Sequence, residues 1–350
     1  IDNATIAWLF LMSIIGYFSA SFNNGLLMEK LGERRFLLLG MALFMCGAGL
    51  FSLQPPFVLF LCTGTLLGFS VGIIDAGLNT YVASLPNNAT LLNYLHAFYG
   101  AGALLGPLVA SSLLALSFGW QSTYLAWLVL AMTLFLSFWF AFKRQIQPMQ
   151  PDLPGRTGNV GFGALHLRSV WLATLFLFFY VGVEVGLGNW NYSFLTIARS
   201  GPALFSAWIV SGYWLGLTLG RLILANLAPR LGVQRLITLC LSGVILGLLL
   251  AWVIPGLWGA ALGLWVIGFC LGPLFPTVIA MMPRLVPSRL LPSAIGFLTS
   301  FASAGTAFFP WLAGNLVQRI GFWTLLPFVL TITIVMFGVW VILNRQPEQG

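Results

Sequence analysis

A chain of 350 residues that is 59% hydrophobic and only 6% charged cannot cover a water-facing surface, for which a soluble domain uses roughly a quarter charged residues. Its outer surface therefore faces lipid, which excludes soluble enzymes and soluble binding modules. The net charge of +8 does not indicate nucleic acid, because the basic residues stand singly or in short groups between apolar runs, a pattern of membrane topology.

Apolar stretches of about 20 residues, enough to cross a hydrocarbon core of about 30 Å, are predicted over 5–28, 35–53, 57–84, 90–117, 120–142, 169–196, 203–227, 233–253, 256–282, 291–317 and 322–343. These eleven segments predict an all-α integral membrane protein. On alternate connections, one side collects Lys30, Arg34, Arg35, Lys143, Arg144, Arg156, Arg168, Arg221, Arg230, Arg235, Arg284, Arg289 and Arg345, and the other only Arg199 and Arg319. A split of 13 to 2 assigns the first side to the cytoplasm. The C-terminus is then expected in the cytoplasm. The chain starts at Ile1 with no signal peptide ahead of its first apolar run, and one further helix before Ile1 is expected, making the visible helices the second to the twelfth. The polar, Pro- and Gly-rich stretch 144–168 reads as a cytoplasmic linker between an N-terminal half, 1–143, and a C-terminal half, 169–350.

Along the chain, the first cytoplasmic loop reads GLLMEKLGERRF from Gly25 to Phe36. Gly25 permits close helix contact, Gly32 permits a tight turn, Glu29 can pair with cations, and Lys30, Arg34 and Arg35 anchor the cytoplasmic face. Next comes VGIIDAGLNTYV, in which Asp75 lies inside an apolar span. An ionised Asp at a helix centre costs about 2.5–3.5 kcal/mol on insertion scales, so such a residue faces an aqueous cavity or a partner. Asn79, four residues on, shares its face. Together they offer a carboxylate that can bind and release a proton beside an amide that donates and accepts. His96, in NYLHAFYGAGALLGP, stands near the cytoplasmic start of its helix. It is a candidate for proton relay or solute binding, and equally reads as a capping or packing residue.

In the second half, Glu184 lies within VGVEVGLGNWNYSFL, where Gly182, Gly186 and Gly188 are expected to loosen the helix. Of the seven acids, only Asp75 and Glu184 fall inside spans. Glu184 and Asn191, with Trp190 beside them, group a carboxylate, an amide and an indole suited to a hydroxylated ring. For Trp190 an interfacial aromatic belt is the competing reading. Arg221 is read as snorkelling or pairing with a carbonyl. The loop ANLAPRLGVQRL, Ala225 to Leu236, then repeats the first loop two hundred residues later, matching Lys30 with Arg230, Gly32 with Gly232 and Arg35 with Arg235. The same offset pairs Gly16 with Gly216 and Gly68-Phe69 with Gly268-Phe269, which implies two related halves. In GFCLGPLFPTVIAMMP, Pro273 and Pro276 predict a helix break that frees carbonyls against protein or a cavity, with Phe275 and Thr277 as cavity candidates. The four cysteines sit in apolar runs without metal-like spacing, and no HExxH, GxSxG or Walker-type motif is found. Neither enzyme chemistry, nor a metal, nor a cofactor is expected.

The first loop resembles the G-x-x-x-D-R-x-G-R-R signature of the major facilitator superfamily, with Glu29 in place of the acid, Lys30 of the base after it, and Glu33, Arg34 and Arg35 of the trailing charges. The second copy has Pro229 where the acid belongs. DAGLN, LHAFYGAGALLGP, YVGVEVGLGNW and GFCLGPLFPT together resemble the fucose–glucose–galactose permease group of that superfamily. The resemblance implies a twelve-helix fold of two pseudo-symmetric six-helix halves and a central cavity lined by helices one, four, seven and ten. It likens Asp75 and Asn79 to the group's fourth-helix carboxylate and the asparagine that follows it. Glu184 departs from the fucose permease, so its assignment stands on the residue chemistry. The expectation is a monomeric secondary transporter of the bacterial plasma membrane, moving a small polar solute, a sugar, by alternating access. Asp75 and Glu184 would couple to H+ or Na+, and Asn79, His96, Asn191, Trp190 and Phe275 would contact the solute. A proton-coupled exporter of the same fold and a non-transporting receptor are the rival readings.

Overall fold

A computed structural model describes residues 3–141 and 163–346, and every described element is helical. Asp2, Lys143, Arg144, Asp152, Arg156, Glu348 and most of the 144–168 stretch lie outside the described residues. The helices are α1 (Asn3–Phe22), α2 (Asn24–Leu31), α3 (Glu33–Ser52), α4 (Phe57–Ala83), α5 (Asn88–Ala115), α6 (Gln121–Ala141), α7 (Arg168–Ser193), α8 (Ala203–Ala225), α9 (Val233–Val253), α10 (Gly256–Leu271), α11 (Leu274–Leu285), α12 (Leu291–Arg319) and α13 (Leu325–Leu343). Nine helical stretches among the described residues are long and apolar enough to cross a membrane.

Two expectations change in detail. The first span is not one helix, because it breaks at Asn23 between α1 and α2. The glycines around Glu184 do not loosen α7, which runs unbroken to Ser193. Gly182 and Gly188 instead receive rings, of Phe309 and of Trp214. The predicted break in the tenth helix falls between Leu271 and Leu274, separating α10 from α11.

The described chain forms two compact units. One comprises Ile1–Ser84, Ala101–Leu167 and Val286–Ser300, and the other Leu85–Gly100, Arg168–Leu285 and Phe301–Gly350. In the first unit α4 packs between α1 and α3, and α6 lies on α3; in the second α10 packs between α8 and α9, and α13 lies on α7 and α9. In lipid no hydrophobic force draws helices together, so association depends on close van der Waals packing at small residues.

The internal repeat governs that packing atom by atom. A Cβ on Gly68 would overlap the Ser13 carbonyl oxygen, and one on Gly268 would overlap that of Tyr213. Gly72 faces the Tyr17 carbonyl and Gly272 that of Leu217. A Cβ on Gly16 would meet Phe69 N at 2.8 Å, and one on Gly216 would meet Phe269 N at 3.1 Å. Every partner obeys the same offset of two hundred. Gly32 and Gly232, with φ of 74° and 79°, turn the chain between helices in a backbone region that side chains disfavour.

Candidate functional site

The polar residues form one cluster in each unit. In the first unit, the glycine contacts between α1 and α4 bring Tyr17 against Asp75. The Tyr17 hydroxyl donates to Asp75 Oδ2 at 2.5 Å, and Asn79 Nδ2 donates to Asp75 Oδ1 at 2.9 Å and to its backbone oxygen at 3.0 Å. Asn79 is fully buried, placed by the one-turn spacing on α4. Each carboxylate oxygen thus has a donor, and both donors are neutral. α1 contains no Lys, Arg or His. No cation holds this carboxylate among the hydrogen bonds described for it.

Nearby, Asn24 Nδ2 donates to Thr80 Oγ1 at 3.1 Å and to the Pro292 carbonyl at 2.6 Å. Gly25 faces Ser293, whose side chain a Cβ would overlap. Of the loop charges, Glu29 and Lys30 are exposed. Arg34 lies over the Trp139 ring, 5.1 Å from its centroid, and donates to the Trp139 carbonyl at 3.2 Å.

The second unit holds a charged cluster. Arg221 and Glu184 form an ion pair at 3.4 Å, with side chains only 5% and 14% exposed. Arg221 also donates from Nε to the Gly272 carbonyl at 3.3 Å and from a terminal nitrogen to the His96 carbonyl at 3.0 Å. The Gly272 oxygen is available because Pro276, four residues on, has no N–H to offer it. Tyr213 donates its hydroxyl to the Glu184 carbonyl at 2.9 Å. Phe275 places its ring 5.1 Å from that of His96 and 5.8 Å from that of Tyr180. Asn191, seven residues from Glu184, is fully buried, and neither atom of its amide has a partner among the described residues. Trp190 directs its indole N–H to the Pro310 carbonyl at 3.0 Å, which commits that donor to the backbone, and its ring packs against Gly314 and Phe322.

Glu184, His96 and Phe275 are thus gathered in one unit, as Asp75 and Asn79 are in the other. Sequence reasoning missed Tyr17 altogether and gave Arg221 no place in the site. Tyr17 follows Gly16, a contact glycine of the repeat, which was the signal available. The offset that governs packing also shows that the clusters are not copies, since Phe275 stands opposite Asp75, Leu217 opposite Tyr17 and Arg221 opposite Ser21.

Comparison with known proteins agrees with this architecture. The profile of the Major Facilitator Superfamily matches residues 1–198 and, a second time, 186–350. "Bypass of stop codon protein 6" of Saccharomyces cerevisiae is 25% identical over 92% of this chain and 71% of its own length. The glucose/mannose transporter GlcP of Bacillus subtilis is 20% identical over 98% of this chain and 87% of its own. Among solved structures, FucP in its outward conformation superposes with a TM-score of 0.84 at 16% identity, over 99% of this chain and 91% of that one. With the profile matched in both halves of the repeat, this helical membrane chain belongs to the Major Facilitator Superfamily and is a transporter rather than an enzyme.

Proposed function

We propose that this transporter moves a sugar or a closely similar small polyol-like solute by alternating access, coupled to a cation gradient. The observation that carries the reading is Asp75, an intramembrane carboxylate held by two neutral donors, Tyr17 and Asn79. Coupling depends on Asp75 and Glu184, Asp75 being the group that binds and releases the ion. Asn79, His96, Asn191, Trp190 and Phe275 contribute to the solute's surroundings. Hydroxylated rings suit such groups, which combine donors, acceptors and aromatic faces. GlcP is named for glucose and mannose, and FucP is a fucose:proton symporter; both names support a sugar here.

In this reading the halves 1–143 and 169–350, joined by 144–168, are the moving parts, and the internal repeat supports that division. The working unit is a monomer in a bacterial plasma membrane, its C-terminus in the cytoplasm, where the basic loops around Gly32 and Gly232 also fall.

Radiolabelled D-glucose uptake into proteoliposomes, under an imposed proton or sodium gradient, tests the proposal. The gradient should drive accumulation in the wild type, and Asp75→Asn should abolish accumulation while leaving glucose exchange across the membrane measurable. Unchanged gradient-driven accumulation by Asp75→Asn would sink Asp75 as the coupling group. Efflux against the gradient would favour an exporter.

A further inference from the structure

We infer that Arg221 is a positioning residue that holds Glu184 as a standing carboxylate for the solute's hydroxyl groups, leaving ion exchange to Asp75. The inference rests on the transport reading above and narrows the part of Glu184 within it.

The repeat gives the first reason. At the position equivalent to Arg221 the first half has Ser21, whose hydroxyl donates to the Gly72 carbonyl at 3.4 Å. Arg221 Nε makes the same contact with Gly272 at 3.3 Å. Packing of these helices therefore needs only a small donor. The guanidinium adds what a serine cannot, a charge and two further nitrogens.

Those nitrogens fix its place. One reaches the His96 carbonyl on α5 and the other the Glu184 carboxylate on α7, while Nε holds the carbonyl that Pro276 leaves free. Three partners on three elements leave the planar head one orientation. A snorkelling arginine would turn its head to water, but this side chain is 5% exposed. Its role is internal.

The surroundings of Glu184 give the third reason. Among the described residues, the titratable and charged groups that face it are Tyr180 on its own helix and Tyr213 and Arg221 on α8, while His96 on α5 faces Arg221. α13, packed against α7, supplies no titratable side chain; α10 carries only Cys270 and α11 only Arg284, at its far end. Among the described residues, Arg221 is thus the one full positive charge paired with the carboxylate. Protonating Glu184 would leave that guanidinium as an uncompensated buried charge, which is strongly unfavourable. Asp75 has no such constraint, since its donors are neutral. Glu184 Oε1 accepts from Arg221, and the carboxylate's other lone pairs can accept from hydroxyl donors, the Tyr180 hydroxyl beside it being one. Asn191, buried on the same helix with an unpartnered amide, offers a second contact of the same kind.

The test uses the full-length protein in liposomes with D-glucose as the probe, comparing wild type, Arg221→Lys, Arg221→Met, Glu184→Gln and the double variant Arg221→Met/Glu184→Gln. Arg221→Lys keeps the charge but loses the three-way geometry. It should raise the KM for glucose about tenfold or more, as expected for a lost hydrogen bond to a charged group, with kcat and the pH profile unchanged. The double variant removes both charges, so it should recover the folded yield lost by Arg221→Met without recovering transport. Infrared difference spectroscopy against Glu184→Gln reads the carboxylate with no solute present. The position and splitting of the carboxylate bands should differ between the wild type and Arg221→Met, because Arg221 no longer donates to Oε1. Carboxylate bands unchanged by Arg221→Met, or a double variant that transports normally, overturns the inference. If the wild type does not move glucose, the sugar reading fails, and the infrared result alone decides the role of Arg221.

Discussion

Replacing Gly68 by alanine puts a single methyl group where α4 meets the backbone of α1. Its Cβ would overlap the Ser13 carbonyl oxygen and lie 2.6 Å from the Ser13 carbonyl carbon. Backbone atoms cannot swing aside, so relief requires the helices to separate by about 1.5 Å to reach ordinary van der Waals distance. Overpacking of this kind costs about 1–3 kcal/mol. The same movement acts on Tyr17 and Asp75, further along the two helices, whose hydrogen bond of 2.5 Å would lengthen beyond hydrogen-bonding distance. Loss of a hydrogen bond to a carboxylate adds about 1.5–3 kcal/mol when the group is charged. Gly68→Ala should therefore lower the thermal midpoint in detergent, followed by tryptophan fluorescence, and weaken gradient-driven accumulation. Gly268→Ala, the repeat-equivalent change against the Tyr213 carbonyl, should lower the midpoint comparably and spare the response of Asp75. Gly338→Ala, which meets nothing within 4 Å, is the control and should be neutral or stabilising. A Gly68→Ala protein that melts at or above the wild-type temperature would refute the packing argument.

Two further predictions concern stability alone or stability set against transport. Asn191→Leu replaces a fully buried amide lacking partners, each such unpaired polar atom costing about 1–3 kcal/mol, so the thermal midpoint should hold or rise while glucose uptake falls; unchanged uptake would remove Asn191 from the solute site. Gly32→Ala and Gly232→Ala place a side chain at φ of 74° and 79°, which costs about 1–2 kcal/mol. The two should lose stability by similar amounts in the same melting assay, and a loss confined to one would mean that the two turns are not equivalent.

Composition and periodicity determined the class of this protein, because a chain with so few charges has only helices to carry its backbone through lipid. Apolar length predicted eleven spans, against nine stretches of membrane-crossing length and hydropathy among the described residues; the break before α11 followed from Pro273 and Pro276, and the twofold repeat from the loops around Gly32 and Gly232. Asp75 and Glu184 were also legible, since a carboxylate in an apolar run has no structural reason in the sequence itself. Their partners were not. Tyr17 lies 58 residues from Asp75, and Arg221 lies 37 from Glu184; no local period links residues so far apart. Tertiary packing decided those contacts, through glycines that let α1 close on α4 and α8 on α10. It also set the difference between the two acids: one is held by neutral hydroxyl and amide donors, the other by a guanidinium that the loss of one backbone N–H at Pro276 helps to anchor.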